Sequence, residues 1–206
     1  MCIRDSELQI RFESADVGGV KLAKTYTLQR GSYVIGVRHE VVNTGAAQVN
    51  PQLYVQLVRD GATGASETPF YSTFTGPAVY TSEQKYQKVE FKKIDENKVD
   101  VVKTSNDGYV AMVQHYFTSA WLLADGTARD NFVRKVDNNL YSVGSITTLP
   151  AVAPGQSQKV DARLFVGPQD EHVLEATAPG LELVKDYGWL TTVSYTHLTL
   201  PTNREV

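Results

Sequence analysis

At 206 residues, 42% hydrophobic and 21% charged, the chain is long enough for one sizeable core. A formal net charge of -3 gives no basic field for nucleic acid. No apolar run approaches the roughly 18 to 20 residues that cross a bilayer, and no charged-then-apolar signal opens the chain, so the sequence reads as a soluble fragment.

Both ends look foreign to the rest. Residues 1–6 (Met-Cys-Ile-Arg-Asp-Ser) and 193–206 (Val-Ser-Tyr-Thr-His-Leu-Thr-Leu-Pro-Thr-Asn-Arg-Glu-Val) resemble translated sequencing-adapter sequence and are set aside from fold reasoning. The rival reading makes the tail a short strand, since Leu198 and Leu200 alternate with threonines. Setting the ends aside removes Cys2, the only cysteine, and with it any disulfide, thiol nucleophile or cysteine metal site.

From Glu7 onward the dominant period is two. Leu8, Ile10 and Phe12 alternate with polar neighbours, as do Val20, Leu22, Tyr26 and Leu28 with Lys24 among them, and Tyr33, Ile35, Val37 and Val41 with His39 among them. These patterns predict half-buried strands. Turn residues separate them at Val17-Gly18-Gly19, Arg30-Gly31-Ser32 and Asn43-Thr44-Gly45, about a dozen residues apart, the rhythm of an antiparallel sandwich or barrel. Leu53, Val55 and Leu57 continue the pattern.

Residues 60–66 (Asp-Gly-Ala-Thr-Gly-Ala-Ser) form a small-residue loop. A phosphate cradle would need a helix directly after the glycines, and Pro69, Tyr71, Phe74 and Gly76 follow instead. In the stretch 85–91, Val89 and Phe91 face one way and Lys88 and Glu90 the other, which predicts a charged edge strand. Turns at 95–97 and 105–108 then flank Val99 and Val101.

Residues 108–121 (Gly-Tyr-Val-Ala-Met-Val-Gln-His-Tyr-Phe-Thr-Ser-Ala-Trp) are apolar on both alternating faces, which predicts one central strand covered from both sides. Phe132–Val136 and Leu140–Ile146 should pair as a hairpin across Asp137-Asn138-Asn139. Val160, Ala162, Leu164 and Val166 supply the last strand. A short helix should begin at Pro168, with Gln169, Asp170 and Glu171 at its positive end and Val173, Leu174 and Thr177 on its apolar side.

After the break at Pro179-Gly180 the period changes again. Leu181, Val184 and Gly188 fall at i, i+3, i+7, with Leu183 and Tyr187 beside that stripe and Glu182, Lys185 and Asp186 opposite. The expectation is an amphipathic helix ending in Tyr187, Trp189 and Leu190, whose rings favour the headgroup layer, so that Leu181, Leu183, Val184, Tyr187, Trp189 and Leu190 form a membrane-interface ramp. The plainer alternative is a C-terminal helix covering one edge of a soluble domain.

Five blocks carry a resemblance. Ala178-Pro179-Gly180-Leu181 followed by Asp186-Tyr187-Gly188-Trp189-Leu190, the stretches 76–80 and 85–91, the Val-Ala-Met, Gln, Tyr-Phe, Ala-Trp pattern within 108–121, and Leu164-Phe165-Val166-Gly167-Pro168 are similar to the YidC family of membrane protein insertases. The similarity covers roughly Ser14 to Leu190 and points to the C-terminal part of the large periplasmic domain. It implies a galactose-mutarotase-like β-supersandwich over 7–167, then a helical linker over 168–192 leading toward a transmembrane helix outside the sequence. It also implies inner-membrane placement on the periplasmic side, no cofactor, no small-molecule substrate, and contacts with the Sec translocon and nascent membrane proteins. The insertion groove itself belongs to a transmembrane bundle that this stretch lacks.

No catalytic constellation is legible: carboxylates are scattered through turns, and no histidine or acidic cluster has metal spacing. His39 and His115 together could suggest mutarotase chemistry, but a histidine in an aromatic strand is usually a core or surface residue. The alternative function is a free carbohydrate-binding or mutarotase-like sandwich, with Tyr33, Tyr54, Tyr71 and Tyr80 as stacking faces.

Overall fold

The computed structural model describes residues 6–62 and 74–185. Among them, twelve antiparallel strands form two sheets. The strands are β1 (Glu7–Glu13), β2 (Val20–Gln29), β3 (Val34–Asn43), β4 (Gln52–Asp60), β5 (Gly76–Thr81), β6 (Lys85–Lys88), β7 (Thr104–Ser105), β8 (Tyr109–Val113), β9 (Phe117–Leu123), β10 (Arg129–Asp137), β11 (Leu140–Thr148) and β12 (Ser157–Pro168). The large sheet runs β1-β2-β3-β12-β9-β8-β5-β6, and the smaller one β4-β11-β10-β7.

Alternation along the strands sorts the side chains into two cores. Val37, Val79, Val110, Met112, Trp121 and Leu123 point from the large sheet onto Leu53, Val55, Val143 and Leu149, closing the sandwich interior. Residues of opposite parity, Ala78, Tyr109, Ala111, Ala120, Leu122 and Phe165, form a second core on the outer face of the same sheet. Both faces of β8 and β9 are therefore covered, as their unbroken apolar composition demands.

The expected hairpin of β10 and β11 is present, with Asn139 in the left-handed region at φ 55°. β6 is the expected edge strand.

Three expectations need correction. Residues 108–121 are not one strand but a hairpin: β8 and β9 pair Val110 with Trp121, and the Gln114 amide closes the turn on the Phe117 carbonyl at 2.9 Å. Because both limbs are buried, the apolar run passes through the turn without a compositional break. The strand expected to reach Phe91 stops at Lys88, and Phe91–Asp95 forms a short helix, α1, which brings Phe91 and Ile94 onto Tyr141. Val99 and Val101 lie in irregular chain before β7. Finally, β1 is paired with β2 as expected but is exposed along its whole length, with Leu8 57% and Phe12 60% exposed, because the smaller sheet does not reach over it.

Candidate functional site: a C-terminal strap and an open groove

The short helix α2 (Glu171–Thr177) begins three residues later than expected, because Pro168 is still paired with Phe117 as the last residue of β12; Asp170 is the N-cap, its carboxylate accepting from the Val173 amide at 3.1 Å. The long amphipathic helix does not follow among the described residues. Gly180 adopts φ 77°, and a 3-10 turn over Leu181–Val184 gives way to extended chain at Lys185. A side chain at position 180 would run into the Tyr80 ring, so the turn requires glycine both for its backbone and for this close approach.

This rearranges the expected interface residues. Leu181 and Val184 keep their i, i+3 stripe, but it faces protein: both are fully buried with Leu174, Ala178, Phe165 and Leu122. Their placement at a bilayer surface is therefore corrected; the sheet's outer core takes up the apolar area that lipid was expected to cover. Leu183 is exposed. Tyr187, Trp189 and Leu190 lie outside the described residues.

Two polar contacts fix the strap. The Tyr109 hydroxyl donates to the Gly180 carbonyl at 2.8 Å, and burial, followed by the neighbouring Tyr86, Glu182 and Tyr80, pushes the phenol's pKa up and keeps it a donor. Lys185 Nζ lies 3.3 Å from Glu171 Oε2, so the strap has doubled back and its last described residue sits beside the start of α2. Gln169 ties that same end to the β8–β9 turn: its amide bonds the Tyr116 carbonyl, and its side chain donates to Gln114 at 2.6 Å and Phe117 at 3.3 Å. The described chain thus ends at the pole of the sandwich where this turn lies.

On the inner face, where the smaller sheet stops short, an open groove of about 530 Å³ runs between β1–β3 and β4. Phe12, Leu22 and Val41 give it apolar walls, and Lys24 and His39 give it polar points. His39 Nε2 is buried without a hydrogen-bond partner among the described residues. Burial, then the nearby Lys24, holds its pKa well below the ordinary 6.5, at about 4, with Asp161 opposing.

This histidine is neutral in the folded chain while the unfolded chain takes up a proton below about pH 6.5. Its stability contribution is complete above that pH and is lost as pH falls toward 4. Replacing His39 with glutamine should flatten the decline between pH 6.5 and 4 by on the order of 1–2 kcal/mol, after discounting for partial exposure. Urea titrations at pH 7 and pH 4.5 check this.

The two histidines are not brought together. His39 pairs with Val160 and Phe117 with Pro168, eight positions along β12, so His115 lies roughly 26 Å or more from His39 at ~3.3 Å per residue. The candidate stacking tyrosines are also dispersed. Tyr54 stacks on Phe132, Tyr80 stacks on Tyr109 beneath the strap, and Tyr71 lies outside the described residues. Among the described residues no group of three or more His, Cys, Asp or Glu side chains could hold a metal ion, and no helix is long and apolar enough to cross a membrane.

Sequence reasoning missed Arg129, which is 2% exposed. Its guanidinium donates to the carbonyls of Ala124 at 2.6 Å, Thr127 at 3.0 Å, Gly108 at 3.1 Å and Asn106 at 3.4 Å, joining two turns at the far pole. An arginine in a polar loop carries no signal for this role.

Two antiparallel sheets with a helical strap on the outer face define a β-sandwich of the galactose-mutarotase-like kind. A family model described as the YidC periplasmic domain matches residues 3–196, and the chain belongs to that family. Among the relatives are the membrane protein insertases YidC of Burkholderia mallei (strain SAVP1) and Burkholderia pseudomallei (strain 668). Each is 54% identical over 188 residues, covering 91% of this chain and 33% of the relative. The chain thus spans about a third of the relatives' length. Among solved structures, an α-galactosidase AgaA from Geobacillus stearothermophilus shares the fold at a TM-score of 0.53 and 9% identity, over 82% of this chain and 25% of that one. An aldose 1-epimerase of Escherichia coli gives a TM-score of 0.46 and 12% identity over 81% of this chain and 67% of that one.

Proposed function

We propose that this chain is the extracytoplasmic module of a membrane protein insertase, standing on the periplasmic side of the bacterial inner membrane. In this reading it is not an enzyme. It delivers the chain to the membrane in a fixed orientation and offers the inner groove to emerging apolar segments or to translocon subunits.

The observation that carries the reading is the docked strap: Leu174, Leu181 and Val184 lock the route from β12 to Lys185 into the outer core, which fixes the position and direction of the described chain at Lys185. Leu183 together with Tyr187, Trp189 and Leu190 then forms the membrane-facing remainder of the ramp. The groove supports the partner reading because its apolar walls stand open. The dispersed tyrosines and histidines speak against a sugar site, despite the fold shared with sugar-processing proteins.

The test is photo-crosslinking in cells from Leu22 and Phe12, carried in an intact insertase that contains this domain. The expected result is adducts with translocon subunits or with a membrane protein caught during insertion. Adducts from neither position would contradict the partner role.

A further inference from the structure

We propose that the pole of the sandwich carrying the β8–β9 turn seats directly in the headgroup layer of a lipid bilayer, with Tyr116 and Phe117 as the inserted side chains. The inference rests on the reading of the chain as a membrane-attached module and names the surface that makes the contact.

Tyr116 is 68% and Phe117 57% exposed, in a hairpin whose two strands are otherwise buried but for the half-buried Ser119. Tyr33 and Val166 are exposed beside them, joined by the hydrogen bond from the Val166 amide to the Tyr33 carbonyl at 2.9 Å. These side chains are not on loose chain. Gln169 clamps the turn through three hydrogen bonds, so placing the rings in an interface costs little further ordering. Tyrosine at the rim with phenylalanine beside it matches the composition that favours the boundary between headgroups and acyl chains.

One further observation selects lipid as the occupant. Lys185, the last described residue of the strap, lies at this pole beside Glu171 and the Gln169 clamp, so the described chain ends on the same side as the aromatic turn.

The test is partition of the 206-residue chain onto vesicles of phosphatidylethanolamine and phosphatidylglycerol. The double substitution Tyr116→Ser/Phe117→Ser should weaken partition about tenfold or more, with the melting temperature kept, while Val17→Ser, an exposed position at the opposite pole, should leave partition unchanged. As a second reading, Phe117→Trp, taken as a difference against the unsubstituted chain, should give emission that shifts to the blue on vesicles and is quenched by spin-labelled lipid.

Unchanged partition of the double variant would overturn the proposal, as would an unsubstituted chain that does not partition. Loss confined to the triple substitution Tyr187→Ser/Trp189→Ser/Leu190→Ser would also overturn it, while leaving the module reading standing. Failure of crosslinking from the groove would strike the module reading and not this surface.

Discussion

Replacing Arg129 with alanine is expected to lower the stability of the chain by about 3 kcal/mol, since buried carbonyls left without a donor cost ~1–3 kcal/mol each. Its four carbonyl acceptors come from two separate turns, one before β8 and one after β9. Deleting the guanidinium leaves those acceptors in a space too enclosed for free hydration and unties the turns from each other. Burial lowers the guanidinium's pKa, and the charges of Asp125 and Asp107 nearby act against that shift. Lysine in its place offers three donors from one atom and cannot span acceptors spread around a planar fork, so Arg129→Lys should recover only part of the loss. For a chain of this size the alanine variant should melt about 10 °C lower. Thermal unfolding followed by near-ultraviolet circular dichroism checks the result.

Leu181→Ala should cost about 3 kcal/mol, and the loss should be concentrated in the strap. Leu181 is completely buried against the outer core, yet the strap joins the remaining fold through only a few elements, so its release does not require the sheets to separate. Amides from Ala178 to Lys185 should therefore exchange far faster in the variant, while those of β8 and β9 keep most of their protection. The uncovered surface around Phe165 and Leu122 should also bind a hydrophobic dye. Equal loss of protection in strap and sheet would show instead that the two unfold as one unit.

The contrast between these two residues shows what was legible in the sequence. Leu181 and Val184 announce a buried face by their spacing, and that face exists; the spacing holds no information on whether lipid or protein lies opposite. The answer came from Gly180, whose left-handed backbone shortens the helix to one turn and folds it onto Tyr80, and from Tyr109, which needs an acceptor for its buried hydroxyl. The β10–β11 hairpin was readable because its asparagines mark the turn. The β8–β9 hairpin was not, because Gln114, His115 and Tyr116 are no special turn formers and the apolar run continues on both sides.

The groove escaped sequence reasoning for a related reason. Period two identifies an inward face on β1 and β2, but only the position of the second sheet decides whether that face is covered. The family resemblance, in contrast, lay in short blocks of exact side chains and pointed to the same family that matches across residues 3–196.

The account depends on the strap being an integral part of the sandwich, with its apolar stripe committed to protein before any membrane is met. Hydrogen exchange of the unsubstituted chain, with and without phosphatidylglycerol vesicles, tests this most directly. The amides of Leu174, Ala178, Leu181 and Lys185, each bonded within the strap, should be strongly protected and unaffected by lipid. Rapid exchange of these amides in solution, with protection appearing only on vesicles, would contradict the account and restore a free, lipid-bound helix.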